Sequence, residues 1–138
     1  MRLVLDTDVL VAALRSDRGA SRQLLIAALN REFEVLVSVP LMLEYEAVLT
    51  RPEHLDASGL TSEEVNEVLD ALATVLTPVH LRFLWRPRLK DPGDEMVLET
   101  AVTGGADRLV TFNLRHLAAG ALEFGIRALQ PRDAWKEV

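Results

Sequence analysis

The sequence predicts an α/β fold, a three-layer α/β/α sandwich around a mainly parallel central sheet of four to five strands. Three observations carry that prediction. Short β-branched or leucine-rich runs alternate along the chain with longer stretches of helical periodicity. The first and clearest of these runs, Leu3-Val4-Leu5, is continuously apolar, as strands covered on both faces are. Polar residues also recur where strands end or helices begin, as βαβ units require. With 138 residues and no repeat, low-complexity tract or Pro/Gly/Ser-rich linker, a single domain over 1–138 is expected.

Leu3-Val4-Leu5 is the first strand, and it ends abruptly in Asp6-Thr7-Asp8 before apolar residues resume at Val9. Val9 to Leu14 gives the first helical turns. Ser16-Asp17 is expected to cap a second helix in which Ala20, Leu24, Leu25, Ala28 and Leu29 share a face. Val35 to Ser38 is the second strand. Pro40 sits where a helix starts, because its missing N–H costs nothing in a first turn. That helix is expected from about Leu41 to Thr50, ending at Arg51-Pro52. Residues 52–60 read as a loop.

Thr61-Ser62-Glu63-Glu64 has the capping-box pattern, and the helix behind it places Val65, Val68, Leu69, Leu72 and Leu76 on one stripe. Val79 to Leu84 is the third strand, followed by the basic stretch Arg86-Pro87-Arg88-Leu89-Lys90. Asp91-Pro92-Gly93-Asp94 opens a helix with Met96, Val97, Ala101 and Val102 turned inward, and Gly104-Gly105 closes it. Leu109 to Phe112 is the fourth strand, with Asn113 at its exit. Ile126 to Leu129 is a short fifth, and Pro131 starts a terminal helix.

Composition narrows the function. With 15 basic and 21 acidic residues the net charge is −6, which argues against nucleic-acid binding by bulk electrostatics. A metal held by carboxylates would still supply positive charge locally, so a nuclease remains open. The absence of cysteine excludes disulfides, thiolate zinc sites and thiol nucleophiles. The residues before Asp6 are too few for a signal-peptide core, and no apolar run approaches a membrane span. A cytoplasmic protein with no membrane association is expected. A serine-hydrolase elbow, a P-loop and a dinucleotide-binding glycine turn are all missing. His54, His80 and His116 are scattered without metal-binding spacing.

Four places bring polar groups to strand ends or helix starts: Asp6, Glu44, Asp94 and Asn113. A carboxylate as close to an apolar strand as Asp6 wants a donor or a cation, so function outweighs capping there. For Asp8, capping or support of Asp6 is the better reading. Glu44 shares a helix face with Leu41 and Val48, but Glu46 is flanked almost as well, and periodicity barely separates them. Asp91 as N-cap, Pro92 at N1 and Asp94 at N3 make a favoured helix start. For Asp94 that role competes evenly with metal binding. Asn113 alone favours a turn.

Four blocks taken together resemble the PIN domain, the nuclease fold of VapC-type toxins in toxin–antitoxin pairs. They are L-V-L-D-T-D-V-L-V, P-L-M-L-E-Y-E, D-P-G-D-E-M-V-L-E-T-A and G-A-D-R-L-V-T-F-N-L-R-H-L. The resemblance implies a metal-dependent endoribonuclease with an acidic pocket for Mg²⁺ or Mn²⁺, an RNA substrate, a cognate antitoxin and a homodimer. It places the metal ligands at Asp6, Glu44 and Asp94, with Asn113 in a fourth position that is commonly Asp. Thr111, Asp8 and Asp91 then support the site. The sequence departs from the family twice, with Asn113 in place of an acid and Asp8 where Asn is usual. Arg86, Arg88, Lys90 and Arg115 flank the site segments as candidate RNA contacts.

Two rival readings remain. A PIN-like domain that has lost activity would serve as a binding module, and Asn113 keeps that reading open. Asp6-Thr7-Asp8-Val9 also resembles the first motif of haloacid-dehalogenase-like phosphatases, with Asp6 as nucleophile and Asp8 as general acid. That reading leaves Glu44 and Thr111-Phe112-Asn113 idle, and the chain is short for it.

Overall fold

A computed structural model describes residues 1–81, 85 and 87–138. The elements run β1 (Arg2–Leu5), α1 (Thr7–Arg15), α2 (Ala20–Leu29), β2 (Glu34–Val37), α3 (Val39–Leu49), α4 (Pro52–Ser58), α5 (Ser62–Ala73) and β3 (Leu76–Pro78). After the basic stretch come α6 (Pro92–Gly104), β4 (Arg108–Val110), α7 (Leu114–Leu122), β5 (Arg127–Leu129) and α8 (Pro131–Glu137). All strand pairings are parallel, and the order across the sheet is β3-β2-β1-β4-β5. The predicted α/β/α architecture is therefore present with five strands.

Burial explains the layering. Leu3, Val4 and Leu5 of β1, Leu36 of β2, and Leu109 and Val110 of β4 are all essentially inaccessible to solvent, as strands covered on both faces must be. Helix α6 packs across β1, β2 and β4 and carries α7 beside it, while α1, α2 and α8 form a second contiguous layer. Right-handed crossovers put these two layers on opposite faces. Helix α6 lies close on the sheet at Gly104, where a Cβ would stand 2.7 Å from Val79 Cγ2 and 2.9 Å from Leu36 Cδ1.

Local signals explain most boundaries. Thr61 Oγ1 accepts from Glu64 N and Glu64 Oε1 accepts from Thr61 N, so both halves of the capping box form. Pro40 lies in the first turn of α3, and Gly105 ends α6 in the left-handed conformation.

Several expectations are corrected. Residues 52–58 form α4 rather than a loop: Pro52 ends α3 and also occupies the first turn of the next helix, which Gly59 closes at φ 75°. Ser16 is the C-cap of α1, and Gly19, not Ser16-Asp17, precedes α2. The third strand is Leu76–Pro78, so Leu76 belongs to the sheet and not to the stripe of α5. Of the expected strand over Val79 to Leu84, residues 82–84 lie outside the described residues, and Val79 extends the pairing by one bond to Val37 O (2.7 Å). Between β4 and β5 the chain also forms a helix, α7, for which no element is expected from the sequence.

Candidate active site

The sheet order reverses at β1, which has β2 on one side and β4 on the other. In open parallel sheets the crevice at such a point, beyond the carboxyl ends of the strands, is where ligands bind. Asp6 leaves β1 there, and Thr111, Phe112 and Asn113 leave β4 there. The backbone joins the two exits directly: Asp6 N–H donates to Val110 O at 2.9 Å.

Asp6 is the N-cap of α1, its Oδ1 accepting Thr7 N–H at 2.7 Å. Capping therefore falls to Asp6, and not to Asp8. It occupies only one of the two oxygens, because Oδ2 accepts from Thr111 Oγ1 at 2.7 Å. Thr111 is fully buried, and its Oγ1 in turn accepts Asn113 N–H at 2.9 Å. The amide of Asn113 donates to both oxygens of Asp94, each at 3.2 Å. One chain of hydrogen bonds thus runs from Asp6 through Thr111 and Asn113 to Asp94, joining three distant parts of the sequence.

Asp94 is aimed by the start of α6. Asp91 Oδ1 accepts from Gly93 N (2.7 Å) and Asp94 N (3.2 Å), the cap that the D-P-G-D pattern predicts. Burial raises the pKa of Asp6, opposed by the hydrogen bonds from Thr111 and Thr7, while the charges of Asp94 and Asp91 raise it further. Asp94 is also raised, first by desolvation; Asn113 and His116 lower it and Asp91 raises it.

Asp8 lies in the first turn of α1, and its Oδ2 accepts Phe112 N–H at 3.1 Å. Its Oδ1 is buried and has no partner among the described residues. Desolvation, then repulsion from Asp6, pushes its pKa up to about 7. Asp8 therefore ties the start of α1 to the exit of β4.

Helix α3 adds two groups. Tyr45 is fully buried and its hydroxyl donates to Leu5 O at 2.5 Å, fixing α3 against the end of β1. Glu44 is half-buried between Leu41 and Val48 whereas Glu46 is exposed, so the structure separates two acids that periodicity left level. Glu44 has no hydrogen bond or ion pair among the described residues.

The mouth of the site is a cleft of about 490 Å³ lined by Arg88, Lys90, Asp91, Asp94, Asn113, Arg115 and His116. Three of the four cations expected at the site, Arg88, Lys90 and Arg115, thus stand beside Asp94; Arg86 lies outside the described residues. Glu95, which is not among the residues expected at the site, organises this basic rim. Its Oε1 accepts from Trp85 Nε1 (2.6 Å) and Arg88 N (2.8 Å), and its Oε2 from Leu89 N (2.6 Å). Arg88 also sits over the Phe124 ring, 5.6 Å from its centroid. No local pattern signals these contacts; the one clue was an acid directly after Asp94.

The donor set fits a hard divalent cation. Asp6, Asp94 and Asn113 offer only oxygen ligands, and two desolvated carboxylates that repel each other gain from a cation between them. Mg²⁺ is commonly held by one or two carboxylates, with water and substrate phosphate completing the shell. Among the described residues, no three His, Asp or Glu side chains stand close enough together to hold a metal ion. Asp6 and Asp94 are the two carboxylates that the Thr111–Asn113 hydrogen-bond path joins. A family model for the PIN domain matches residues 2–115, which span every group from Asp6 to Asn113. No curated protein matches the chain.

Proposed function

The chain belongs to the PIN-domain family, a family of nuclease type, and we propose that it is a metal-dependent endoribonuclease that cleaves RNA at the Asp6–Asp94 crevice. The observation that carries this reading is the hydrogen-bonded path Asp6–Thr111–Asn113–Asp94 at the reversal of the sheet order. Nucleases of this family usually use divalent metals. Asp6 and Asp94 are the proposed ligands for Mg²⁺ or Mn²⁺; Glu44 of α3 stands outside that pair and would become a third ligand only by moving toward a bound ion. Bound there, the ion supplies a Lewis acid for phosphodiester hydrolysis.

The chain's own groups have separate tasks. Hydrogen bonds from Thr111 and from Thr7 N–H oppose the upward push of burial on the Asp6 pKa, and the one from Asn113 does the same for Asp94. Arg88, Lys90 and Arg115 offer phosphate contacts along the cleft. The proposal extends to the role of toxin in a toxin–antitoxin pair, with a cognate antitoxin as partner and a homodimer as the assembly. These follow from family likeness, as does a cytoplasmic location. No helix among the described residues is long and apolar enough to cross a membrane.

The test is incubation of the purified protein with mixed RNA under Mn²⁺, under Mg²⁺ and under EDTA, alongside Asp6→Asn. Metal-dependent cleavage that disappears in the variant is the expected result. Because Asn113 is neutral, Mn²⁺ is expected to support activity at lower concentration than Mg²⁺. RNA binding without cleavage under any metal would instead favour a binding module. Phosphate release from small esters would favour the phosphatase, a reading that the burial of Asp8 Oδ1 argues against.

A further inference from the structure

Phe112 stands between the two residues that hold the acids, and 47% of its surface is exposed. Thr111 on one side donates to Asp6, Asn113 on the other donates to Asp94, and Phe112's own N–H donates to Asp8. Three consecutive residues are thus tied to three carboxylates, so the backbone beneath an exposed aromatic ring is fixed. Val39, Leu43 and Leu122 are exposed too, but they lie on helices away from these bonds.

The ring helps to line a cavity of about 250 Å³, together with Ala12 of α1 and its C-cap Ser16, the residues that start α2, and Gln130, Pro131 and Arg132. Its chemistry is specific. Apolar walls and one aromatic face suit a flat ring system, and Gln130 and Ser16 offer hydrogen bonds to its edge. Arg132 is exposed and makes no ion pair among the described residues, leaving its guanidinium for an anion attached to that ring. At about 250 Å³ the cavity is below the usual range for drug-sized ligands, which favours a small ring system over a larger ligand.

We propose that Phe112 and this cavity form a nucleobase subsite, in which the base of a nucleotide next to the reacting phosphate stacks on the Phe112 ring. The proposal rests on the ribonuclease reading above; the bases of a single strand are free to splay onto an aromatic face. Stacking of this kind tolerates any base, because every base has a π-face.

The experiment measures binding to the Asp6→Asn variant of the 138-residue chain by fluorescence anisotropy. The probes are a labelled single-stranded RNA octamer and the same octamer with stable abasic analogues in place of its nucleotides. Adding Phe112→Ala or Phe112→Leu is expected to weaken binding of the base-bearing octamer about tenfold and that of the abasic octamer less than about twofold, while Phe112→Trp preserves the difference. Equal loss on both octamers, or no loss on either, would overturn the subsite and leave the nuclease intact if the unmodified protein still cleaves RNA. If neither octamer binds and the unmodified protein cleaves no RNA with Mn²⁺, the ribonuclease reading falls and the subsite falls with it.

Discussion

Asp8 is the residue whose role the sequence hid most completely. Its partner, the Phe112 N–H, lies 104 residues away, so no local pattern could show the contact. Asp6, Asp94 and Asn113 were legible because each sits at a strand tip or helix start, and Glu44 was separated from Glu46 only by the packing of α3. The raised Asp8 pKa has a consequence for stability. An unfolded Asp ionises near 3.8 and the folded one near 7, so between those values the folded state binds more protons. Stability from this group is full below about pH 4 and is lost as pH rises through about 7. With EDTA present, Asp8→Asn is expected to gain up to about 2 kcal/mol at pH 8, after discount for the residue's partial exposure, and almost nothing at pH 4. Urea denaturation at both pH values measures it; a gain equal at both would refute the buried charge. Thr111→Val is a second case. It keeps the shape but removes the donor to Asp6 Oδ2 and the acceptor for Asn113 N–H, at a cost of about 1–3 kcal/mol. Because that hydrogen bond lowers the Asp6 pKa, its loss is expected to move the rising limb of the cleavage pH profile to higher pH. An unmoved limb with reduced stability would make Thr111 purely structural.

The elements were readable where chemistry at their ends is strong and unreadable where burial is weak. The start of α6 and the capping box of α5 were visible because each depends on side chains within four positions of one another. Helix α4 escaped because none of its residues is buried, so it has no apolar stripe to count. Strand β3 has three residues, one of them Pro78, and pairs with β2 alone at the sheet's edge, leaving little period-2 signal. The most sensitive contact between elements is Gly104. Helix α6 reaches the sheet there only because no Cβ intervenes, and the same helix aims Asp94 from its other end. Gly104→Ala would drive a methyl into Val79 and Leu36. The strain of overpacking, about 1–3 kcal/mol, is expected to exceed the gain in helix propensity, about 1 kcal/mol. A lower Tm, together with weaker metal-dependent cleavage if α6 tilts, is the expected outcome; a Tm at or above that of the parent would mean the Leu36 and Val79 side chains move aside freely.

At the scale of the whole molecule, strand order and charge together set how RNA is met. The order β3-β2-β1-β4-β5 opens one crevice at the centre of the sheet, which is why acids from the first and last thirds of the chain converge. That convergence was foreseeable once the strands were counted, since parallel strands put every exit on one edge. What the sequence could not give was the partition of charge. The molecule carries a net −6, yet Arg88, Lys90 and Arg115 line the cleft that contains Asp94. Glu95 spends its carboxylate on Trp85, Arg88 and Leu89 rather than on those cations' side chains, so their charges stay available to an anion. An acidic protein with three such cations should bind single-stranded RNA with a shallow salt dependence. Three phosphate contacts give a slope of log K against log salt of about −2. Arg115→Ala is expected to reduce its magnitude by about 0.7 while leaving the metal concentration for half-maximal cleavage unchanged. A slope of −4 or steeper in the protein alone would mean that a broader basic surface engages RNA, and the cleft would not be the main phosphate track. A slope unchanged by Arg115→Ala would remove that residue from the track and leave Arg88 and Lys90 to carry it among the described residues.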